Sequence, residues 1–296
     1  MRRATGLVGA LLLLTLLCAG CGNRNAAAPE KKAVQATDAA PMDLPPAYML
    51  TWNSRGWDVR IFVNGVPVGE SKPPGQAGMI ELRYFLADGG NEIRWEATAT
   101  EENANPLEVS LDEVANGGLG DAKSLFKETT EPAAVGSADR GGKKVNAVTK
   151  ATWFWQDADN VEQLTPGDEA QIKAIVDSLY KAFVNQDTEA LIVILDVGSN
   201  ERAKLALAAK DEVTGVLRQS CEKLFADTNY VFSRAEPSTL SLHAYGRMTK
   251  VESTSPAIIR AGLQKRDANG KEAFEPVLVF PRFYLSRHGG KWFIVR

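Results

Sequence analysis

The chain has 296 residues, enough for two domains of ordinary size, and its formal net charge is −3, with 34 Lys and Arg against 37 Asp and Glu. A mildly acidic chain lacks the basic surface that nucleic-acid binding requires, so we expect no nucleic-acid partner. It has three cysteines and two histidines. Cys18 and Cys21 lie close to the amino terminus, and Cys221 is well separated in sequence from both histidines, which predicts no zinc site, no other metal site and no cofactor.

The first residues read as a secretory leader. Arg2 and Arg3 provide a positive start, and an apolar run over 7–17 follows them. This run is shorter than the roughly 20 apolar residues that a membrane-spanning helix needs. It closes on small residues ahead of Cys21, which is the order of a cleavable signal peptide, predicted here over 1–20.

The segment 17–21, Leu-Cys-Ala-Gly-Cys, resembles the lipobox of bacterial lipoproteins. The resemblance implies cleavage before Cys21 and attachment of diacylglyceryl and palmitate chains to that residue, which then anchors the chain to the membrane. Cys18 stands where the family usually has Leu. Gly22 follows in place of Asp, and this implies the outer membrane, with the chain facing the periplasm. An ordinary secreted protein cleaved at the same small residues is the alternative.

Residues 21–46 contain Ala, Pro, Asn, Lys and Asp with few large apolar side chains. Such a segment cannot bury enough surface to fold, so the sequence predicts a disordered, lipidated tether. The tether would let a folded head stand away from the bilayer.

Residues 47–159 read as a β-domain, because apolar and polar side chains alternate with the period of a strand. Asn64-Gly65 predicts a hairpin turn, and Asp88-Gly-Gly-Asn91 predicts another. This spacing of strands and turns resembles the immunoglobulin-like and jelly-roll-like accessory domains of bacterial envelope proteins, which implies an all-β sandwich. The main predicted strands cover 57–63, 80–86, 93–97, 109–111 and 148–155.

Two segments of this domain need separate interpretation. Residues 115–146 hold paired glycines and few large apolar residues, so we expect a flexible insertion with a short helix over 119–126. Trp153-Phe154-Trp155 is the densest aromatic cluster of the chain. It could form a sugar-stacking platform, but packing in the core or between the domains is favoured, because alternate strand residues cannot all face one ligand.

Residues 160–296 read as an α+β domain in which helices precede a curved antiparallel sheet. Thr165-Pro166, with Asp168 three residues after Thr165, predicts a capped helix start, and Asp187 starts a second helix that ends at Leu195. Apolar spacing predicts further helices over 201–209 and 213–225. Strands are predicted over 230–235, 239–251, 257–265, 274–286 and 291–295, with hairpin turns at 267–270 and 287–290.

Two segments of this domain, 181–191 (KAFVNQDTEAL) and 284–294 (YLSRHGGKWFI), resemble the helix break and final hairpin of the nuclear-transport-factor-2-like superfamily. The superfamily includes ketosteroid isomerase and polyketide cyclases, and many members have no enzymatic activity. The resemblance implies a cone-like fold in which helices and a curved sheet enclose a pocket. Catalysis in that superfamily uses an Asp, His or Tyr that points into the cone.

His243, Tyr245 and Arg247 are the candidate ligand-pocket residues, because they fall with Ser241 on one face of the predicted strand 239–251. The same alternation fits a solvent-exposed strand face, and this interpretation is favoured. Cys221 lies on an apolar helix face and is expected in the core. We assign no catalytic residue, since the sequence has no nucleophile-elbow, phosphate-loop or dinucleotide-binding motif.

The sequence therefore predicts a membrane-anchored envelope lipoprotein that acts as a non-enzymatic binding or interaction module. Its expected partners are the membrane, through Cys21, and an envelope protein or a small-molecule ligand. A small-molecule pocket enzyme of the isomerase or hydrolase type in the carboxy-terminal domain is one alternative. A structural scaffold of an envelope complex is another.

Overall fold

The computed structural model describes residues 44–72, 77–102, 104–131, 134–206, 208–226, 230–253, 257–266 and 272–296. It is mostly β-structure, with several antiparallel sheets and few helices. Internal contacts divide the described chain into two compact units, with the division between Gln156 and Asp157. The signal peptide, Cys21 and nearly all of the predicted tether lie outside the described residues.

The amino-terminal unit contains two four-stranded antiparallel sheets, with strand orders β4-β1-β6-β7 and β3-β2-β5-β8. A 3-10 turn, Arg83–Phe85, separates β4 from β5. The strands are β1 Ala47–Asn53, β2 Trp57–Val63, β3 Val66–Ser71, β4 Ala77–Glu81, β5 Gly89–Ala99, β6 Leu107–Val114, β7 Ala122–Thr130 and β8 Ala138–Ala147.

The alternation in β2 and β5 places one face of each strand in the core. Trp57, Val59 and Ile61 are fully buried on β2, and Ile93 and Trp95 are their counterparts on β5. The ring of Trp95 stacks on Phe126 of β7, with centroids 6.2 Å apart. Because β5 and β7 belong to different sheets, this contact joins the two sheets across the core.

The predicted turn at Asn64-Gly65 is confirmed. Both residues have positive φ, 50° and 82°, and they connect β2 to β3. The Asn64 side chain then donates to the Oδ1 atom of Asn91 at 2.9 Å and to the carbonyl of Phe85 at 2.9 Å. The Asn91 amide donates in turn to the carbonyl of Ala87. The two Asn residues thus fix the turns at one end of this unit to each other.

The expected flexible insertion at 115–146, with a helix over 119–126, is wrong. Most of these residues form β7 and β8, which pair with β6 and β5 and complete the two sheets, and a helical turn at Ala115–Gly118 lies before β7. Both are edge strands, and most of their side chains are exposed or only half-buried. An edge strand needs fewer large apolar residues than a central one, which is why composition alone did not indicate strands here.

The predicted strand over 148–155 is also wrong. The segment is extended and ends in a 3-10 turn, Phe154–Asp157, and side-chain hydrogen bonds hold it in place of a strand ladder. The Asp88 carboxylate accepts from the backbone N–H groups of Thr149 and Lys150 and from the Thr149 hydroxyl. The predicted strand over 80–86 is wrong for most of its length, because β4 covers Ala77–Glu81 and the 3-10 turn Arg83–Phe85 follows it.

In each sheet of this unit, a tryptophan of an inner strand lies opposite a glycine of an edge strand. Trp52 of β1 faces Gly78 of β4, and a Cβ atom on Gly78 would lie 1.9 Å from the indole ring. Trp95 of β5 faces Gly141 of β8, where a Cβ atom would lie 2.0 Å from the ring. Glycine in these edge strands therefore makes room for a large ring, which in turn covers the gap that glycine leaves.

The carboxy-terminal unit has four helices followed by seven strands among its described residues. The strands form a four-stranded sheet, β10-β11-β14-β15, and a three-stranded sheet, β13-β12-β9. The helices are α1 Pro166–Val184, α2 Thr188–Ile194, α3 Asp196–Ala206 and α4 Lys210–Ala226; the strands are β9 Tyr230–Arg234, β10 Leu240–Tyr245, β11 Met248–Ser253, β12 Ile259–Arg266, β13 Glu272–Phe280, β14 Arg282–His288 and β15 Lys291–Ile294.

The predicted starts of the first two helices are confirmed, whereas α3 and α4 begin at Asp196 and Lys210, earlier than the predicted 201 and 213. Thr165 and Asp168 form a reciprocal capping box at the start of α1, with Pro166 in its first turn. Asp187 caps α2 by accepting from the N–H of Ala190 at 2.9 Å. The core combines the apolar faces of α1, α2 and α4 with residues of both sheets, including Ile172, Val176, Leu179, Phe183, Leu191, Cys221, Val251, Ile259, Phe283, Leu285 and Ile294.

Two predicted strands of this unit are each divided in two. The chain turns at Gly246, φ 67°, so that 239–251 forms the hairpin β10–β11. Pro281 separates β13 from β14, which belong to different sheets, since proline has no N–H for a ladder. The turn at Gly289-Gly290 between β14 and β15 is confirmed, whereas the predicted turn at 267–270 lies outside the described residues.

Candidate functional site

The structure places two of the three candidate ligand residues side by side. His243 and Tyr245 lie on the same face of β10, with ring centroids 6.3 Å apart. Arg247 follows Gly246 in the turn and is exposed. The expectation that Arg247 continues the strand face is wrong, because β10 ends at Tyr245.

Pairing of β10 with β11 adds two charged residues that the sequence did not single out. His243 stands opposite Lys250, and its Nε2 atom lies 3.4 Å from a carboxylate oxygen of Glu252. Lys250 is 95% buried, and its Nζ atom forms an ion pair with the same carboxylate. Glu252 therefore joins an exposed imidazole to a buried ammonium group.

Tyr284 of β14 lies opposite Lys250 on the other side of β11 and is also buried. Burial raises the pKa of its hydroxyl, while Arg282 and Arg296 act in the opposite direction. We call His243, Tyr245, Lys250, Glu252 and Tyr284 the polar cluster. The signal that could have identified Lys250 and Glu252 is their spacing of two residues, which sets both on one strand face.

The polar cluster combines a compensated buried charge with an imidazole that water reaches. The buried Lys250 ammonium is already paired with Glu252, so its charge is compensated within the fold. The His243 side chain is 45% exposed, so water reaches the group that a general acid or base would use. An exposed imidazole beside a compensated ion pair offers a ligand hydrogen bonds and charge at the edge of the sheet.

A second polar group of this unit surrounds Asp168, whose carboxylate accepts four hydrogen bonds. Thr165 donates from its backbone N–H at 3.0 Å and its hydroxyl at 2.7 Å. Arg287 and the indole N–H of Trp292 each donate at 3.0 Å. These donors, with the Thr165 hydroxyl the largest influence, hold the Asp168 pKa far below its usual range.

Asp168 is 5% exposed and its carboxylate is saturated with partners. Arg287 also bonds to Asp159 at 3.1 Å, and Asp159 accepts from the N–H of Gly290. The whole group fixes the first turn of α1 to the β14–β15 hairpin. A permanently ionised, fully bonded carboxylate is unsuited to proton exchange with a substrate, so we assign this group a structural role.

The core between the helices and the sheets is filled with aromatic and aliphatic side chains. The ring of Phe183 lies 5.8 Å from that of Phe232 and 5.8 Å from that of Phe280. Cys221 is buried as expected, and burial raises its thiol pKa to about 11. A thiol with so high a pKa is a poor nucleophile at neutral pH.

The aromatic cluster at 153–155 packs into the amino-terminal unit. Trp153 and Trp155 are 2% and 9% exposed. Their indole N–H groups donate to the carbonyls of Leu86 at 2.9 Å and Tyr84 at 2.8 Å. Buried rings with satisfied N–H groups cannot stack on a sugar, so the packing interpretation of these two residues is confirmed.

The amino-terminal unit has an open groove of about 460 Å³ across the sheet β4-β1-β6-β7. Its floor includes a hydroxyl pair, Thr51 with Ser110 at 2.7 Å, and the ion pair of Lys127 with Glu108 at 3.3 Å. Met79, which is 68% exposed, forms one side. The groove is mixed in character, and its charged residues compensate each other.

Within the described ranges, no three or more His, Cys, Asp or Glu side chains are grouped so that they could hold a metal ion. The helices among these residues include none that is both long and apolar enough to cross a membrane. Comparisons with protein-family models, curated proteins and solved structures found no match for this chain.

Proposed function

We propose that the chain is an envelope lipoprotein, anchored to the membrane through lipid on Cys21, that acts as a non-enzymatic binding or interaction module. The observation that carries this proposal is the leader, in which an apolar run ends in small residues directly before a cysteine. Several acyl chains on one residue hold a protein on a bilayer nearly permanently. Gly22 after the cysteine supports the outer membrane, with the chain in the periplasm.

The finer architecture is part of the proposal. We interpret the amino-terminal unit as an immunoglobulin-like or jelly-roll-like sandwich, supported by its two antiparallel sheets and by the contact of Trp95 with Phe126 across the core. We interpret the carboxy-terminal unit as cone-like, supported by the order of helices before strands and by their common apolar core.

A binding function agrees with the chemistry of the described side chains better than catalysis does. In the carboxy-terminal unit, Asp168 is saturated with hydrogen bonds and the Cys221 thiol has a raised pKa. The polar cluster has its charge compensated and lies partly exposed at the sheet edge. Such a surface can select a partner by hydrogen bonds and charge without a reaction.

The anchor is tested by labelling cells of the host with palmitate and separating their membranes. The wild-type chain should carry the label and sediment with the outer membrane, whereas Cys21→Ala should lose both properties. Cys221→Ala is the matched control, because it removes the described thiol and leaves the leader intact. Label retained by Cys21→Ala would refute the anchor.

The binding surface is tested by photo-crosslinking in cells from a reactive side chain placed at position 243. The matched control position is Val193 on α2, which is 75% exposed in the same unit. A discrete adduct from position 243 that is missing from position 193 supports recognition at the polar cluster. Identical adduct patterns from the two positions would count against it.

A further inference from the structure

The most exposed large apolar side chain of the described residues lies in the loop that joins β6 to β7. Leu119 is 81% exposed, and glycines stand on both sides of it. Asn116, Gly117 and Gly118 all have positive φ, between 51° and 97°. This loop, residues 115–121, is called the tip loop below. Its backbone holds a leucine in solvent, and burial of that side chain against another apolar surface would be favourable.

The tip loop packs against the beginning of the described chain. The N–H of Gly117 donates to the carbonyl of Pro45 at 3.1 Å. A Cβ atom on Gly117 would lie 2.9 Å from the Cδ1 atom of Leu44. The loop therefore lies at the point where the chain that follows Cys21 enters the amino-terminal unit.

A second exposed apolar side chain lies near the same end. Val148 is 53% exposed, and its N–H donates to the hydroxyl of Tyr48 at 2.7 Å. Tyr48 is the second residue of β1, so Val148 is fixed beside the start of that strand. Val135, which is 52% exposed, lies instead in the loop at the opposite end of β7.

We propose that the tip loop contacts the lipid surface to which Cys21 is anchored, with Leu119 inserted among the headgroups. This inference rests on the proposed lipid anchor. The 22 residues between Cys21 and Leu44 limit the separation of the anchor from the start of the described chain to at most about 75 Å. A contact made by a chain that is already held at the membrane benefits from a local concentration on the order of millimolar, so a weak apolar contact is enough.

The charges of the loop indicate which force would act. Asp121 is the sole charged residue of the tip loop, and its sign is that of anionic lipid headgroups. Attraction to anionic lipid therefore cannot drive the contact. Burial of the Leu119 side chain can, and it makes the contact insensitive to salt.

The experiment uses the lipidated full chain in vesicles of phosphatidylethanolamine and phosphatidylglycerol, with a nitroxide quencher in the lipid. A fluorophore is attached through Ala122→Cys, an exposed position directly after the tip loop that leaves Leu119 in place, or, as the matched control, through Val135→Cys. The remaining described thiol, Cys221, reacts slowly because it is buried and its pKa is raised to about 11. Flotation of the vesicles reports separately whether the chain is anchored.

We expect quenching at position 122 to be several times stronger than at position 135, and to be unchanged when salt is raised. Equal quenching at the two positions in protein that floats would overturn the lipid contact and leave the anchor standing. Quenching at position 122 that disappears in high salt would also overturn it. Protein that fails to float would overturn the anchor and the contact together.

Discussion

Replacement of Asp168 by alanine tests the buried group that fixes α1 to the β14–β15 hairpin. The substitution removes the acceptor of four hydrogen bonds, two from Thr165 and one each from Arg287 and Trp292. Arg287 keeps its contact with Asp159 at 3.1 Å, but the indole N–H of Trp292 stays buried without its acceptor. A buried hydrogen-bond donor without an acceptor destabilises the fold, because it has lost its hydrogen bonds to water and has none within the protein.

Removal of one partner from a buried ion pair costs about 3–5 kcal/mol. Because the Arg287 side chain is 25% exposed and keeps a second carboxylate, we expect a loss near the lower limit, about 3 kcal/mol. Glu169→Ala is the matched control one residue further along the same helix turn. Its carboxylate is exposed and meets Lys173 at 3.4 Å, so its removal should cost less than about 1 kcal/mol.

Urea unfolding followed by helical circular dichroism measures the loss, because the four helices belong to the carboxy-terminal unit. The pH dependence has a definite sign. The folded-state pKa of Asp168 lies below the unfolded value, so its contribution is complete above the unfolded pKa and is lost as the pH falls toward the folded one. The difference between wild type and Asp168→Ala should therefore shrink below about pH 4. A difference under about 1 kcal/mol at neutral pH, or one that grows in acid, would refute the assignment.

Two further predictions concern the amino-terminal unit. Gly141→Ala should destabilise it by about 1–3 kcal/mol in thermal unfolding, because the new methyl group would lie 2.0 Å from the ring of Trp95. Gly142→Ala, whose methyl would have ordinary contacts at 3.4 Å, is the control, and equal losses would contradict the packing argument. Asp88→Ala removes the acceptor for the backbone N–H groups of Thr149 and Lys150, so hydrogen exchange over 148–157 should become faster. Exchange that stays unchanged there would show that the other contacts of the segment, including the buried indoles, hold it without Asp88.

The parts of the fold that the sequence predicted well depend on local chemistry. Thr165 and Asp168 cap a helix through contacts that span three residues, and Asn64-Gly65 turns the chain because both adopt positive φ. The Gly289-Gly290 turn is of the same kind. Such signals need no knowledge of distant partners, which is why they could be read correctly from one sequence.

The parts that failed depend on partners far along the chain. Gly141 reads as a loop residue, yet it lies in β8 because Trp95 occupies the space above it. Residues 148–155 alternate like a strand, yet Asp88 and the carbonyls of the 83–86 region hold them by side-chain hydrogen bonds. Neither constraint has a local signature.

The candidate site shows the same division. The sequence correctly placed His243 and Tyr245 on one strand face, because side-chain alternation is a local property. It did not predict that Glu252 would face His243, because that contact depends on the register of β10 against β11. The sequence also predicted Arg247 on this strand face. The prediction failed because a glycine such as Gly246 within a strand pattern does not reveal whether the chain continues or turns.

A binding module that is anchored to a membrane can use an exposed surface instead of a deep pocket, and our proposal depends on this link between the anchor and the exposed surfaces. The groove on the amino-terminal unit is open, and the polar cluster lies partly exposed at a sheet edge. Such surfaces bind weakly in free solution, since they exclude little water. Confinement near a membrane raises the local concentration of two anchored partners to about the millimolar range, at which millimolar affinity gives substantial occupancy. Loss of Cys21 should therefore weaken the crosslink from position 243, even though that position lies more than 200 residues away in the sequence. An undiminished crosslink in Cys21→Ala would show that recognition is independent of the anchor.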